Sequence, residues 1–199
     1  MRAAATVRRQ RSGGAGQRGA LLIEVLVSIV VCAFGLLGFV AVQARAVASE
    51  FESHQRTQAL NLVDDMVSRI NANRTAAGAY VVEGLIGGGA IEDCAGMAGA
   101  PLDLCQWGNL IRGSREDRAG VKVGAMLSAR GCITRPATSS DRYVISIAWQ
   151  GIVPTAAPAS PCGLGDDAFP NEALRRTASS TVCVALLRDA ASAPVISRC

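Results

Sequence analysis

From Val25 to Ala44 the chain runs twenty residues without a formal charge, apolar on every side of a helix. At about 1.5 Å rise per residue that stretch spans roughly 30 Å, the hydrocarbon core of a bilayer. Past Arg45 the apolar positions thin to a stripe. Val47 and Phe51, then Ala59, Leu62, Val63, Met66, Val67 and Ile70, recur at steps of three and four, while Arg45, Glu50, Glu52, Arg56, Asp64 and Arg69 decorate the remaining face. The two patterns join without a break and predict one helix from about Ala20 to Asn73, some 80 Å long at the same rise. Asn71 to Arg74 and Gly78 supply its stop signals. The stripe alone fits any amphipathic helix laid on a core.

Beyond the helix the period changes. Gly84 to Gly99 is glycine-rich, with three in a row at Gly87 to Gly89. A phosphate-binding loop needs a strand before it and GK[ST] at the start of a helix after it, so this stretch reads as a flexible loop. Leu104, Trp107 and Ile111 give a short helix an apolar face, and Cys105 lies on it. Tyr143, Ile145, Ile147 and Trp149 alternate with Val144, Ser146, Ala148 and Gln150, the period of two of a strand. Thr181 to Leu187 is a second β-rich run and Gly131 to Ile133 a third. A proline-rich connection, Pro154 to Gly163, lies between them.

Charge and cysteine usage say which side of a membrane this part faces. All five charges before Glu24 are positive, Arg2, Arg8, Arg9, Arg11 and Arg18, which keeps the leader cytoplasmic and sends the chain beyond the apolar span across the membrane. The whole chain of 199 residues has a formal charge of +4; taking those five from the 20 basic residues leaves 15 against 16 acidic, a formal −1. The basicity belongs to the leader, so nucleic acid is not an expected partner of the rest. Cys32 sits in the apolar run as a small buried hydrophobe. Cys94, Cys105, Cys132, Cys162, Cys183 and Cys199 all fall in the exported part, an even count that reads as up to three disulfides with fifteen possible connectivities. No pair has CxxC spacing and the one histidine, His54, is far from them, so no metal or other cofactor is expected. Cys94 to Cys105 would close a short local loop and Cys162 could staple the proline-rich connection; Cys94 with Cys105, Cys132 with Cys162 and Cys183 with Cys199 is the pairing expected, with the other connectivities left open.

Candidate chemistry is sparse. His54 lies among Glu50, Glu52 and Arg56 and reads as a solvated residue of the helix, not a general base. Asp64 with Asp65, and Asp166 with Asp167, lack the Asp-x-Asp-x-Asp-Gly spacing of a calcium loop and read as solvated faces. No catalytic residues are expected, and the chain is not expected to be an enzyme.

Glu24 is the exception. A carboxylate in a membrane helix costs at least about 2.5–3.5 kcal/mol at mid-bilayer, less near an interface, and needs a partner unless it snorkels to headgroups. The run Arg18-Gly19-Ala20-Leu21-Leu22-Ile23-Glu24-Val25-Leu26-Val27-Ser28 resembles the class III signal of type IV pilins and pseudopilins. The resemblance implies cleavage of Gly19-Ala20 by a prepilin peptidase, methylation of the new amine, and retention of the apolar helix. That amine, one turn from Glu24, would pair with the carboxylate of a neighbouring subunit. Small residues at Val40 to Ala44 leave conventional signal cleavage open. Ala20 stands where major pilins usually have Phe, Leu21 where Thr is common, and Ala41 where a proline is often found. These departures point to a minor subunit. Farther on, Arg142 to Gly151, the Cys162-Gly163 loop and Glu172 to Arg176 resemble the PilV family of minor pilins.

The resemblance implies an α+β, type IV pilin-like fold in which a long N-terminal helix packs on a small antiparallel sheet with disulfide-stapled loops. Residues 1–19 would be the leader, 20–44 the transmembrane and assembly helix, 45–74 its amphipathic continuation, and 75–199 a periplasmic or extracellular head. It further implies a minor pilin, first in the inner membrane and then in a surface pilus. Its partners would be the major pilin, other minor pilins and the prepilin peptidase, with adhesion and twitching motility downstream. A type II secretion pseudopilin, or a membrane-anchored periplasmic binding protein or enzyme, are the rival expectations.

Overall fold

The computed structural model describes residues 18–113, 117–118, 121–122, 126–139 and 141–184 of the 199. Helix α1 runs Arg18–Ala72, within two residues of the expected bounds at either end. The first proline in the chain is Pro101, so nothing removes a donor from the helical ladder of α1. The chain divides into two compact units, Met1–Val47 and Ala48–Cys199, each taken by itself below.

In the second unit, α1 gives way to a short 3-10 turn at Arg74–Tyr80, an irregular glycine-rich loop and helix α2, Gly99–Ile111. Pro101 sits in the first turn of α2, where a missing backbone donor costs little. Strands β1, Asp117–Arg118, and β2, Val121–Lys122, form a two-stranded ladder. Strands β3, Arg130–Thr134, β4, Arg142–Gln150, and β5, Arg175–Cys183, form an antiparallel sheet in the order β3-β4-β5. Together these elements make the α+β pilin-like fold: long helix, small antiparallel sheet, stapled loops.

The main core lies between α1 and one face of the sheet. Ala59, Val63, Met66 and Ile70 from α1 meet Ile133, Tyr143, Ile145, Ile147, Trp149, Ala178 and Val182, while Trp107 and Ile111 of α2 close the side. Trp107 donates its indole N–H to the Leu62 carbonyl at 2.8 Å, which ties the two helices. Gly131 of β3 leaves room for this packing: a Cβ there would stand 2.4 Å from Trp107 Cζ3 and 2.7 Å from Ile111 Cδ1. No residue larger than glycine fits without displacing the tryptophan.

Three expectations change. The alternation in β4 implied one buried face, yet Ser146 and Ala148 are buried as well, because Cys132, Cys162 and Phe169 form a second small core over the outer face. The second β-rich run began at Thr181, whereas β5 begins at Arg175. Its weak early sequence, Arg175 to Ser180, is held as strand by pairing with the strong β former run of β4, Ile145 to Ser180 and Ile147 to Ala178. Finally, Val47 and Phe51 of the expected stripe are exposed. The buried register of α1 instead passes through Gln55, because the sheet covers the helix only as far as the end of β4.

Candidate functional site

In the first unit the candidate surface is α1 itself. Every large apolar side chain from Leu21 to Val42 is exposed, from 51% at Val30 to 70% at Leu22 and Phe34, so the described chain offers this surface no cover. Such an area stays out of water only in lipid or against other subunits. Glu24 lies exposed on it, and its backbone carbonyl accepts the Ser28 hydroxyl at 2.7 Å, a local bond that leaves the carboxylate unused. Gly19 and Ala20 fall in the first turn of α1, and residues 1–17 of the expected leader lie outside the described residues. Cys32 is free and exposed on the helix, not buried within this chain.

In the second unit a set of charged residues fastens the sheet and loops to α1. Glu52, expected among the solvated decoration, turns inward. Its Oε1 accepts the backbone N–H groups of Ile152 and Val153, both at 3.1 Å, and the Arg176 guanidinium at 3.3 Å. Arg176 reaches it because β5 alternates: the residues opposite Trp149, Ile147, Ile145 and Tyr143 share the helix-facing side. Burial pushes the Glu52 carboxyl up, but the Val153 N–H, the Arg176 charge and the Ile152 N–H outweigh it and hold it below the usual carboxylate range.

Arg69, the other misread decoration, sits at the far end of the contact. It pairs with Asp65 at 2.8 Å and Asp103 of α2 at 2.9 Å, and donates to the Gln106 amide oxygen. Burial works against its charge, and the two carboxylates more than restore it. Tyr80 donates its hydroxyl to the same Asp103, and burial together with that bond raises its phenol above the ordinary value.

The neighbouring Arg175 points to the opposite face. It is almost fully buried, bonds Glu172 at 2.7 Å and donates to the carbonyls of Ser160 and Cys162, both at 2.8 Å. One Arg-Arg pair thus clamps the helix on one side of the sheet and the proline-rich loop on the other. The loop is also held by Cys132–Cys162, and Cys94–Cys105 joins the glycine-rich loop to α2, both as expected. Cys183 is disulfide-bonded; Cys199, expected as its partner, lies outside the described residues.

The remaining candidates stay apart. His54 is exposed. Asp166 caps the Phe169 turn by accepting the Ala168 N–H at 2.8 Å and faces Arg130 at 3.7 Å, so it supports a loop instead of a solvated face. Among the described residues, no three His, Cys, Asp or Glu side chains stand together as a metal would need. Sequence periodicity missed Glu52, Arg69, Arg175 and Gln55, since a charged or amide residue on a helix or strand reads as solvated by default. The one available signal was the adjacent Arg175-Arg176 pair, which period two must send to both faces.

Comparison with curated proteins and with solved structures returned no match. A family model does match: residues 41–97 fit the Tt1218-like model, described as type IV pilin Tt1218. The matched segment is less than half of the chain and contains neither the Gly19 to Glu24 motif nor the sheet. It covers the end of the apolar run, the amphipathic half of α1 and the glycine-rich loop. Matched segment and overall architecture, which share the second half of α1, together support the type IV pilin superfamily.

Proposed function

We propose that this chain is a minor pilin, of the kind exemplified by PilV, that assembles into a type IV pilus through its N-terminal helix. The observation that carries this reading is the exposed apolar surface from Leu21 to Val42, in a chain whose other unit has already closed its own core. Pilins are structural, non-enzymatic proteins, and a helix that anchors in the membrane before packing into a filament accounts for that surface. The disulfides Cys94–Cys105 and Cys132–Cys162 suit a head exported to an oxidising compartment. Processing is the part drawn from the Arg18 to Ser28 motif: prepilin peptidase cuts after Gly19, the Ala20 amine is methylated, and Glu24 pairs with the amine of an adjacent subunit. That pairing would fix axial register. Apolar burial, which has no direction, would supply the adhesion between subunits.

Mass spectrometry of the protein from cells with active prepilin peptidase should find a mature chain beginning at methylated Ala20. An intact leader in those cells would end the proposal. Glu24→Ala should spare membrane insertion and leader cleavage but reduce recovery of the subunit in sheared pili, and unchanged incorporation would remove the pairing. Deletion should lower piliation; normal pili with failed protein export would favour a type II secretion pseudopilin.

A further inference from the structure

Period two sends Ala178 and Val182 of β5 into the helix-facing core, so Ser179, Thr181 and Cys183 stand on the outer face of the sheet, beside Ser146, Val144 and Arg142 of β4. That face is covered over only part of its length. The second small core, Cys132, Ala148, Cys162 and Phe169, closes it toward Gln150. Beyond that core a groove of about 540 Å³ stays open, lined by Val144 and Ser179 of the sheet, Val81 and Val82 after the 3-10 turn, and Pro161 of the proline-rich loop. The three valines are half-buried and Pro161 and Ser179 exposed, so the described residues leave an apolar lining without full cover. Cys183 lies two residues from Thr181, the partner of Val144, about 7 Å along the strand. It is disulfide-bonded. Cys32 is free, and Cys94, Cys105, Cys132 and Cys162 are joined among themselves, which leaves Cys199 as its partner.

From these observations we infer that the groove is the seat of the chain's own segment 185–198, held over the outer face of the sheet by a Cys183–Cys199 bridge, with Val195 and Ile196 filling the groove. The segment leaves the sheet at Val184, which is buried and donates its N–H to the Asp141 carbonyl at 2.8 Å, and the bridge returns it to the same face. Bridged cysteines hold their Cα atoms about 5.5–6 Å apart, and three residues of extended chain reach at most about 11 Å, so Ile196 attains Val144 from Cys199. Val195 and Ile196 are the large aliphatic residues nearest the bridge, and burying them against Val81, Val82 and Val144 removes apolar surface from water on both sides. A segment tied at both ends docks as an intramolecular event, whereas a separate peptide bears the full entropy of association. The tether therefore names the occupant. Every residue involved lies in the second unit, so the inference is independent of the membrane-anchored reading.

The test uses the full chain in detergent micelles. Peptide mapping without reduction should recover Cys183 linked to Cys199, and any other partner for Cys183 overturns the seat. Hydroxyl-radical footprinting then compares wild type with Val195→Asp/Ile196→Asp, a change that keeps the bridge and the length of the segment. Oxidation of Val81, Val82 and Pro161 should rise several-fold in the variant, while Leu164, 62% exposed and outside the groove lining, keeps its rate. Equal oxidation of the three in both proteins overturns the inference. The reciprocal variant, Val82→Glu, puts a charge into the lining outside helix and sheet, and Val195 and Ile196 should then oxidise several-fold faster than in wild type. Unchanged rates there mean that the segment rests elsewhere, and the inference fails. Buried Met66 and Trp107 report the fold in each sample. If they become reactive in the double variant, Val82→Glu decides alone.

Discussion

Glu52 shows how a single charged residue can be misread by pattern. Its position is polar, yet its carboxylate joins the strand-end loop to the helix through two backbone donors and Arg176. Because its folded pKa is depressed, the stability it contributes is present above the ordinary value of about 4.5 and is lost as pH falls through the lower folded value. Thermal denaturation from pH 3 to 7 should therefore show Glu52→Gln less stable than wild type near neutrality, with the gap closing in acid. A gap constant across that range would mean the charge contributes nothing. Gln55 presents the opposite case: both polar atoms of its amide are buried without a hydrogen-bond partner among the described residues, as is the Trp149 indole N–H. An orphaned buried polar group costs about 1–3 kcal/mol, so Gln55→Met, similar in volume, should raise stability by about that amount. A lower melting temperature for this variant would show that the amide is satisfied in solution.

Among the elements, β4 and the two helices were legible because each carried its own period, whereas β3 and the end of β5 showed only as short β-rich runs. Alternation marked β4, and steps of three and four marked α1 and α2. The early half of β5 was not legible, since Arg175 to Ser180 becomes strand only by pairing with β4. The two described disulfides close loops of different length, with sequence separations of 30 for Cys132–Cys162 and 11 for Cys94–Cys105. On loop-closure entropy, removing the longer should cost about 3–4 kcal/mol and the shorter about 3. Chemical denaturation of the Cys132→Ser/Cys162→Ser and Cys94→Ser/Cys105→Ser double variants should therefore rank the first as less stable. The reverse order would place most of the second staple's effect in folded-state packing around α2.

For the whole molecule, the contrast between the two units is what the proposed function rests on. One unit buries a continuous core between helix and sheet, and the other exposes an apolar helix along its length. On the proposed reading, that combination would require a membrane first and a filament afterwards. On the same reading, cleavage after Gly19 would remove five arginines and turn a formal +4 into −1. Isoelectric focusing of the protein recovered from membranes should accordingly resolve an acidic mature form. A species that remains basic would indicate an unprocessed leader.

The sequence by itself determined the apolar span, the approximate helix bounds, the Gly19 to Glu24 motif and the period of β4, while the cysteine pairing, left open among fifteen connectivities, was settled for two pairs by the structure. Each of the former is local, or follows from short-range spacing. Only the tertiary structure decided that Glu52 and Arg69 face inward, that Arg175 and Arg176 clamp opposite faces, that Gln55 occupies the buried register, and that Phe51 stays open. Those outcomes depend on where the sheet ends against the helix. Periodicity along one element carries no information about the length of the element packed on it.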